Sequence, residues 1–221
     1  MIKVTQLTKT YETTSKRSFT AINNISLEIN AGEMLAITGV SGSGKSTLLH
    51  ILACLDKAYE GSVSIDNMEI SKQSDRKLAY IRNNDSSIVM QDFMLIDDYS
   101  VFENVMFPLM LQKLSKKERK NRVCEALNQV GMLANIKQGA DTLSGGEKQR
   151  VAIARAIVTK PKYIFADEPT GSLDKKNTDG IMQILETLNQ SGITIVVVSH
   201  EQSVANHCKR KIELLDGKIL S

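Results

Sequence analysis

A chain of 221 residues, 42% hydrophobic and 24% charged, has the make-up of one soluble α/β domain or two small ones. Its 28 basic and 25 acidic residues leave a net charge of +3, too balanced to argue for a nucleic-acid partner, and none is expected. No apolar run approaches the roughly 18 residues that span a bilayer. The three cysteines, Cys54, Cys124 and Cys208, include no C-x-x-C pair and read as reduced thiols rather than a disulfide frame or zinc site. The start of the chain, Met1 to Thr5, lacks a secretory leader's pattern, so a cytosolic protein is expected.

Residues Lys3 to about Asn30 alternate apolar and polar positions, as at Ile22, Ile25, Leu27 and Ile29, which predicts antiparallel strands with one wet face. Tyr11, in a polar stretch, reads either as an edge-strand tyrosine or as an aromatic free to stack on a purine. Met34-Leu35-Ala36-Ile37 reads as a buried strand. It runs into Gly39-Val40-Ser41-Gly42-Ser43-Gly44-Lys45-Ser46-Thr47, and Leu48, Leu49, Ile51, Leu52 and Leu55 follow at helical spacing. Strand, glycine loop, lysine, hydroxyl and helix form the phosphate-binding P-loop. Glycines let backbone N–H groups approach phosphate oxygens, and the helix N-terminus adds donors and partial positive charge. Lys45 is placed for the β- and γ-phosphates and the Ser46 hydroxyl for Mg²⁺. The chain binds nucleotide.

Gly61 to Asp66 is a further short alternating strand, and Lys72 to Arg82 carries Leu78 and Ile81 at helical spacing. Ser87-Ile88-Val89-Met90 reads as a buried strand ending at Gln91, which is either a Mg²⁺ ligand or an ordinary polar terminus. Asp97 to Val130 reads as helix. Within it Lys113 to Arg122 is the most basic run, read as a solvated helix surface or as a face toward anionic lipid or a partner. Asp141-Thr142-Leu143-Ser144-Gly145-Gly146-Glu147 opens a long helix through Val151, Ile153, Ala154 and Ile157. Ser144 and Glu147 have capping-box spacing, which leaves the two glycines unexplained. An anion docking on that helix terminus would explain them.

Tyr163-Ile164-Phe165-Ala166 is a second buried strand, ending in Asp167-Glu168 at the edge where open α/β sheets hold ligands. Successive strand residues point opposite ways, so Asp167 can hold the Mg²⁺ shell while Glu168 polarises a water. Pro169 and Gly171 force a turn, and Ser172-Leu173-Asp174 leads into a helix through Ile181, Ile184, Leu185 and Leu188. The strand Ile193 to Val198 ends in Ser199-His200, whose histidine reads either as structural or as a γ-phosphate contact. His50 and His207 read as structural. Lys211 to Ile219 predicts a hairpin turning at Asp216-Gly217.

The ordered set Tyr11, Gly39–Thr47, Gln91, Leu143–Glu147, Asp167-Glu168, Ser172-Leu173-Asp174 and His200 resembles the ATP-binding cassette of ABC transporters over essentially the whole chain. The stretch Ala166 to Asp174 is similar to the lipoprotein-release, macrolide- and peptide-export group. Val40, Met90 and Ser172 depart from that pattern without removing a functional group. The resemblance implies a P-loop NTPase (RecA-like) α/β core, with an N-terminal antiparallel β subdomain and an inserted helical subdomain near residues 95–157, all in one nucleotide-binding domain of residues 1–221. It implies a head-to-tail dimer of two copies, each ATP held by one P-loop and the other chain's Ser144, Gly145, Gly146 and Glu147. By the same resemblance Tyr11 stacks on adenine, Lys45 binds phosphate, and Ser46, Gln91 and Asp167 hold Mg²⁺. Glu168 acts as base, His200 contacts the γ-phosphate, and Asp174 communicates across the dimer. Phe93 to Leu114 receives a membrane permease, which keeps the protein on the cytoplasmic face of the membrane. An ATPase acting on DNA or ribosomes is disfavoured because no long coiled coil and no second cassette is present, and a non-hydrolysing sensor because Glu168 and His200 are intact.

Overall fold

The structure is a computed structural model that describes residues 1–12 and 18–220. A four-stranded antiparallel sheet joins β1 (Ile2–Glu12), β2 (Ser18–Ile29), β4 (Glu60–Ile65) and β5 (Met68–Glu69) in the order β2-β1-β4-β5. The expected N-terminal strands are therefore present, and the part of that reading at 13–17 lies outside the described residues. A six-stranded sheet runs β10-β9-β3-β8-β7-β6, where β3 is Met34–Thr38, β6 Ser86–Val89, β7 Tyr163–Asp167, β8 Thr194–Val198, β9 Arg210–Leu215 and β10 Lys218–Leu220. It is parallel from β9 to β6, with β10 folded back antiparallel. Asp216 and Gly217 both have positive φ, the backbone a tight primed hairpin turn needs.

The central strands are apolar along most of their length because both faces are covered. Met34, Ala36, Ile164, Ala166, Ile195 and Val197 face a helical layer. Leu35, Ile37, Phe165, Val196 and Val198 face α1 (Lys45–Leu52) and the antiparallel sheet. Phe165 is fully buried, and a side chain of that size contributes about 1.5–3 kcal/mol by leaving water. The helical layer comprises α3 (Val101–Met106), α4 (Lys116–Gln129) and α5 (Gly145–Ile157), with α6 (Lys175–Gln190) beside it. Its core is continuous with the sheet: Val105, Leu127, Val151 and Ile195 belong to one cluster.

Two expectations need correction. The helix read from Asp97 to Val130 is interrupted by a 3₁₀ turn at Phe107–Leu111 and an extended stretch before Ser115. Pro108 has no N–H to continue an α-helix, and Ser115 with Glu118 starts a fresh one. The basic run is thereby divided, and Arg119 and Arg122 donate to the Gln112 backbone and side-chain oxygens instead of standing wholly free. The strand before Gln91 is the sheet's edge, with Ser87 and Ile88 only half-buried. As the Ser144 cap predicts, the signature helix begins at Gly145, after a 3₁₀ turn at Ala140–Thr142.

Candidate active site

The P-loop is shaped by close backbone approach. Gly44, at φ +102°, would place a Cβ 2.3 Å from the Ala21 carbonyl, so no side chain fits where the loop enters α1. Lys45, nearly buried, bends back and donates to the carbonyls of Gly39 (2.8 Å) and Val40 (2.9 Å), arching over the loop. A cavity of about 920 Å³ opens above it, a size suited to a nucleotide. Gly39, Val40, Ser41, Gly42, Gly44 and Lys45 to Thr47 line it from the P-loop side. Gln91, Glu168 and His200 line it from three other chain segments. Ser43 stays beneath, its hydroxyl buried without a partner.

Asp167 stands behind Ser46, whose hydroxyl donates to Oδ1 at 3.1 Å. Burial pushes the Asp167 carboxyl up from its ordinary pKa, with the Ser46 hydrogen bond opposing. Ser46, Gln91 and Asp167 supply only oxygen donors toward this corner, the chemistry Mg²⁺ prefers, so the residues fit that ion. Glu168 follows with φ +46°, a left-handed turn that costs about 1–3 kcal/mol and swings its carboxylate off the strand. Its Oε1 lies 2.9 Å from His200 Nδ1, and its Oε2 is buried with no hydrogen-bond partner among the described residues. One carboxylate oxygen is thus held in place and the other remains a free acceptor.

Three other sequence-predicted groups lie elsewhere. Tyr11 is outside the cavity wall, with the Lys9 ammonium 4.6 Å from its ring centroid. Lys9 is itself buried and pairs with Asp56 at 2.7 Å. Burial would raise the Asp56 carboxyl, but the Lys9 bond and others override it and hold it below the usual range. Ser144 to Glu147 are also absent from the cavity. The Ser144 hydroxyl donates to Glu147 Oε2 at 2.6 Å and its N–H at 2.9 Å, so this helix end caps itself. Asp174 caps α6 through the Asn177 N–H (2.9 Å) and amide (3.0 Å).

The two signature glycines have different reasons. A Cβ on Gly146 would lie 2.6 Å from Asn177 Oδ1, so Gly146 lets α5 pack on α6 within one chain. This corrects the expectation that an anion explains both. Gly145 is exposed, and a Cβ there would meet Leu173 at 3.4 Å and Phe93 at 3.9 Å, ordinary contacts, so packing within the chain does not require a glycine there.

Two residues near the site escaped the sequence reading. Phe19 lines the cavity and is the cross-strand partner of Tyr11, on the same face of the sheet. Only the strand register reveals it. His50, taken as structural, has Nε2 3.7 Å from Asp167 Oδ2. Its signal was available: it lies four residues after Ser46, hence on the same helix face.

A family model described as ABC transporter matches residues 22–171. The ATP-binding protein YvrO of Bacillus subtilis is 40% identical over 220 residues, covering 100% of this chain and 96% of its own length. The macrolide export ATP-binding/permease protein MacB of Chlorobaculum tepidum is 43% identical, the chain spanning 34% of that longer protein. The dimeric structure of the cassette MJ0796, from Methanocaldococcus jannaschii, superposes with a TM-score of 0.92 at 42% identity, covering 100% of this chain and 97% of that one. A second structure of the same cassette, a dimeric post-hydrolysis state bound to ADP and Pi, gives 0.90. A P-loop cavity lined by Lys45, Ser46, Glu168 and His200, in a chain this similar to a cassette seen with its hydrolysis products, identifies a member of the ABC transporter family, an ATP-binding and ATP-hydrolysing subunit.

Proposed function

We propose that this cassette works as a head-to-tail pair with two composite ATP sites and drives a membrane exporter or extractor of lipoprotein, peptide or macrolide type. The observation that carries the pairing is the division of functional groups between two surfaces of one chain. Lys45, Ser46, Gln91, Glu168 and His200 converge on the cavity, whereas Ser144 and the open Gly145 sit exposed away from it. A second copy brings its signature helix, with that helix's unsatisfied N–H groups, to the phosphate across the cavity. The dimeric MJ0796 structures support the arrangement.

In this reading Tyr11 and Phe19 together form the platform for the adenine. Lys45 leaves its two loop carbonyls to hold the β- and γ-phosphates. Ser46 and Gln91, with Asp167 behind them, would hold Mg²⁺, whose charge would neutralise the phosphate oxygens. Glu168 Oε2 accepts a proton from the water that attacks the γ-phosphorus as the bond to the β-phosphate oxygen breaks. His200 holds the other oxygen and reaches the γ-phosphate. Asp174, at the start of α6, relays closure between copies. Residues near 95–157 act as the helical subdomain.

Exposure of Met94, Tyr99, Phe107, Met110 and Leu111 supports the region Phe93 to Leu114 as the permease contact, since scattered single apolar residues are ordinary but a run is not. No helix among the described residues is long and apolar enough to cross a membrane, so in this reading the protein is held at the cytoplasmic face by its permease. Export is supported by relatives named as macrolide and syringafactin export proteins.

The test is to trap Glu168→Gln with ATP and identify what copurifies from detergent-solubilised cells. A polytopic membrane protein that is lost on adding Leu111→Asp is expected. Ribosomes or DNA, with no membrane subunit, would overturn the reading.

A further inference from the structure

Gln91 is the junction of two bodies. The strand before it, β6, is hydrogen-bonded into the central sheet, while the residues after it are fastened to the helical layer. Phe93 and Met94 both adopt positive φ (+57° and +52°), a strained pair for side chains of that bulk. Their carbonyls point together at one guanidinium. Arg155 Nη2 donates to the Phe93 carbonyl at 2.6 Å, and Nη1 donates to that of Met94. Among the described residues no carboxylate pairs with Arg155, and its hydrogen bonds go to these two backbone carbonyls. The Phe93 ring reaches along α5 to Gly145, where a Cβ would come within 3.9 Å. A second tether comes from α3, where the buried Asn104 accepts from the Ile96 N–H at 2.8 Å and donates to its carbonyl at 3.0 Å.

We propose that Arg155 is a positioning residue that latches the turn after Gln91 onto the signature helix, so that Gln91 and Ser144 move as one body relative to the P-loop. The planar fork of an arginine suits two adjacent carbonyls in a way a lysine ammonium does not. A tilt of α5 against the sheet then shifts Gln91 within the cavity, and a permease pressing on the exposed Met94 reaches the same latch. The inference rests on the reading of Gln91 as a site residue and of this region as the permease contact.

The experiment compares wild type, Arg155→Lys and Arg155→Ala in the full chain by hydrogen exchange, binding of a fluorescent (mant) ATP, and steady-state turnover. In Arg155→Ala the amides of residues 92–96 are expected to exchange at least tenfold faster, with α1 and the rest of α5 unchanged. Binding of mant-ATP should stay within twofold, and kcat should fall at least tenfold with little change in KM. Arg155→Lys should be intermediate, and methylguanidinium added to Arg155→Ala should restore part of the protection at 92–96. Unchanged exchange at 92–96, or an equal rise throughout α5, would overturn the latch. A wild-type chain that hydrolyses no ATP under any condition would instead undo the ATPase reading, and exchange at 92–96 would still decide the latch.

Discussion

The two ends of the ATP machinery are built differently. At the P-loop end the groups lie in α1 or just past β3, β6, β7 and β8, and most are held by neighbours in the same chain: Lys45 by loop carbonyls, Asp167 by Ser46, Glu168 by His200. At the signature end the Ser144 side chain is bonded to its own Glu147, and Gly145 is exposed with only ordinary contacts around it. In the proposed pairing the first surface is a pocket open on one side, and the second, on another copy, would close it. A chain carrying both has a reason to meet its own copy.

The capping box does not make the signature helix special. The same Ser-x-x-Glu device caps α3 through Ser100 and Glu103, and α4 through Ser115 and Glu118. Only at Ser144 is the box filled with two glycines, poor helix residues that cost about 1 kcal/mol each relative to alanine. Gly146 recovers that cost by letting α6 approach, and Gly145 has no such partner. The asymmetry between adjacent glycines marks the one that packing within the chain does not require.

The largest expected effect is on the P-loop pocket. Glu168→Gln removes the proton acceptor while keeping the carbonyl oxygen and volume, and should lower kcat by about 10²- to 10⁴-fold. ATP binding should survive, and gel filtration with ATP should show the dimer accumulating. Turnover at wild-type level would remove Glu168 from the base role. Next is the signature end. Gly145→Ala should leave thermal stability nearly unchanged yet cost on the order of 10²-fold in turnover, since a misplacement of about 1 Å suffices for that. Its companion measurement is dilution: hydrolysis per molecule should fall as the protein is diluted, and constant specific activity would refute the composite site.

How much of this was legible in the sequence depends on how local each feature is. The P-loop, Asp167-Glu168 and the signature are contiguous stretches whose chemistry dictates residue type, and their placement at strand ends follows from the apolar runs before them. Phe19 was not legible, because its place opposite Tyr11 rests on the register between β1 and β2. Arg155 was not legible either: its partners are carbonyls some sixty positions away. The division of the two glycines needed the packing of α5 on α6.

That division gives a smaller, structural prediction. Gly146→Ala forces its methyl group against Asn177 Oδ1 and Cγ, 2.6 and 2.8 Å away. Overpacking of this kind costs about 1–3 kcal/mol, offset by about 1 kcal/mol of improved helix propensity. A net loss near 1 kcal/mol is expected in chemical denaturation, and Asn177→Ala in the same chain should return most of it. If Gly146→Ala were as stable as Gly145→Ala, the two glycines would not differ in the way argued.

The smallest effect concerns the self-cap. Hydrogen bonds from the Ser144 hydroxyl and N–H hold the Glu147 carboxyl below the usual carboxylate range. A pKa depressed in the folded state contributes stability that is fully present above the ordinary value, about 4.3 for glutamate, and is lost as pH falls through the lower folded value. The pair is exposed, so solvent and salt screen most of the effect. Glu147→Gln keeps a capping-box side chain but cannot titrate. The stability advantage of wild type over Glu147→Gln should therefore be small at neutral pH and shrink between about pH 5 and 3, as read from thermal midpoints at matched ionic strength. An advantage that grew on acidification would mean that the carboxylate is a burden to this helix end, and that Ser144 is kept ready for something other than its own glutamate.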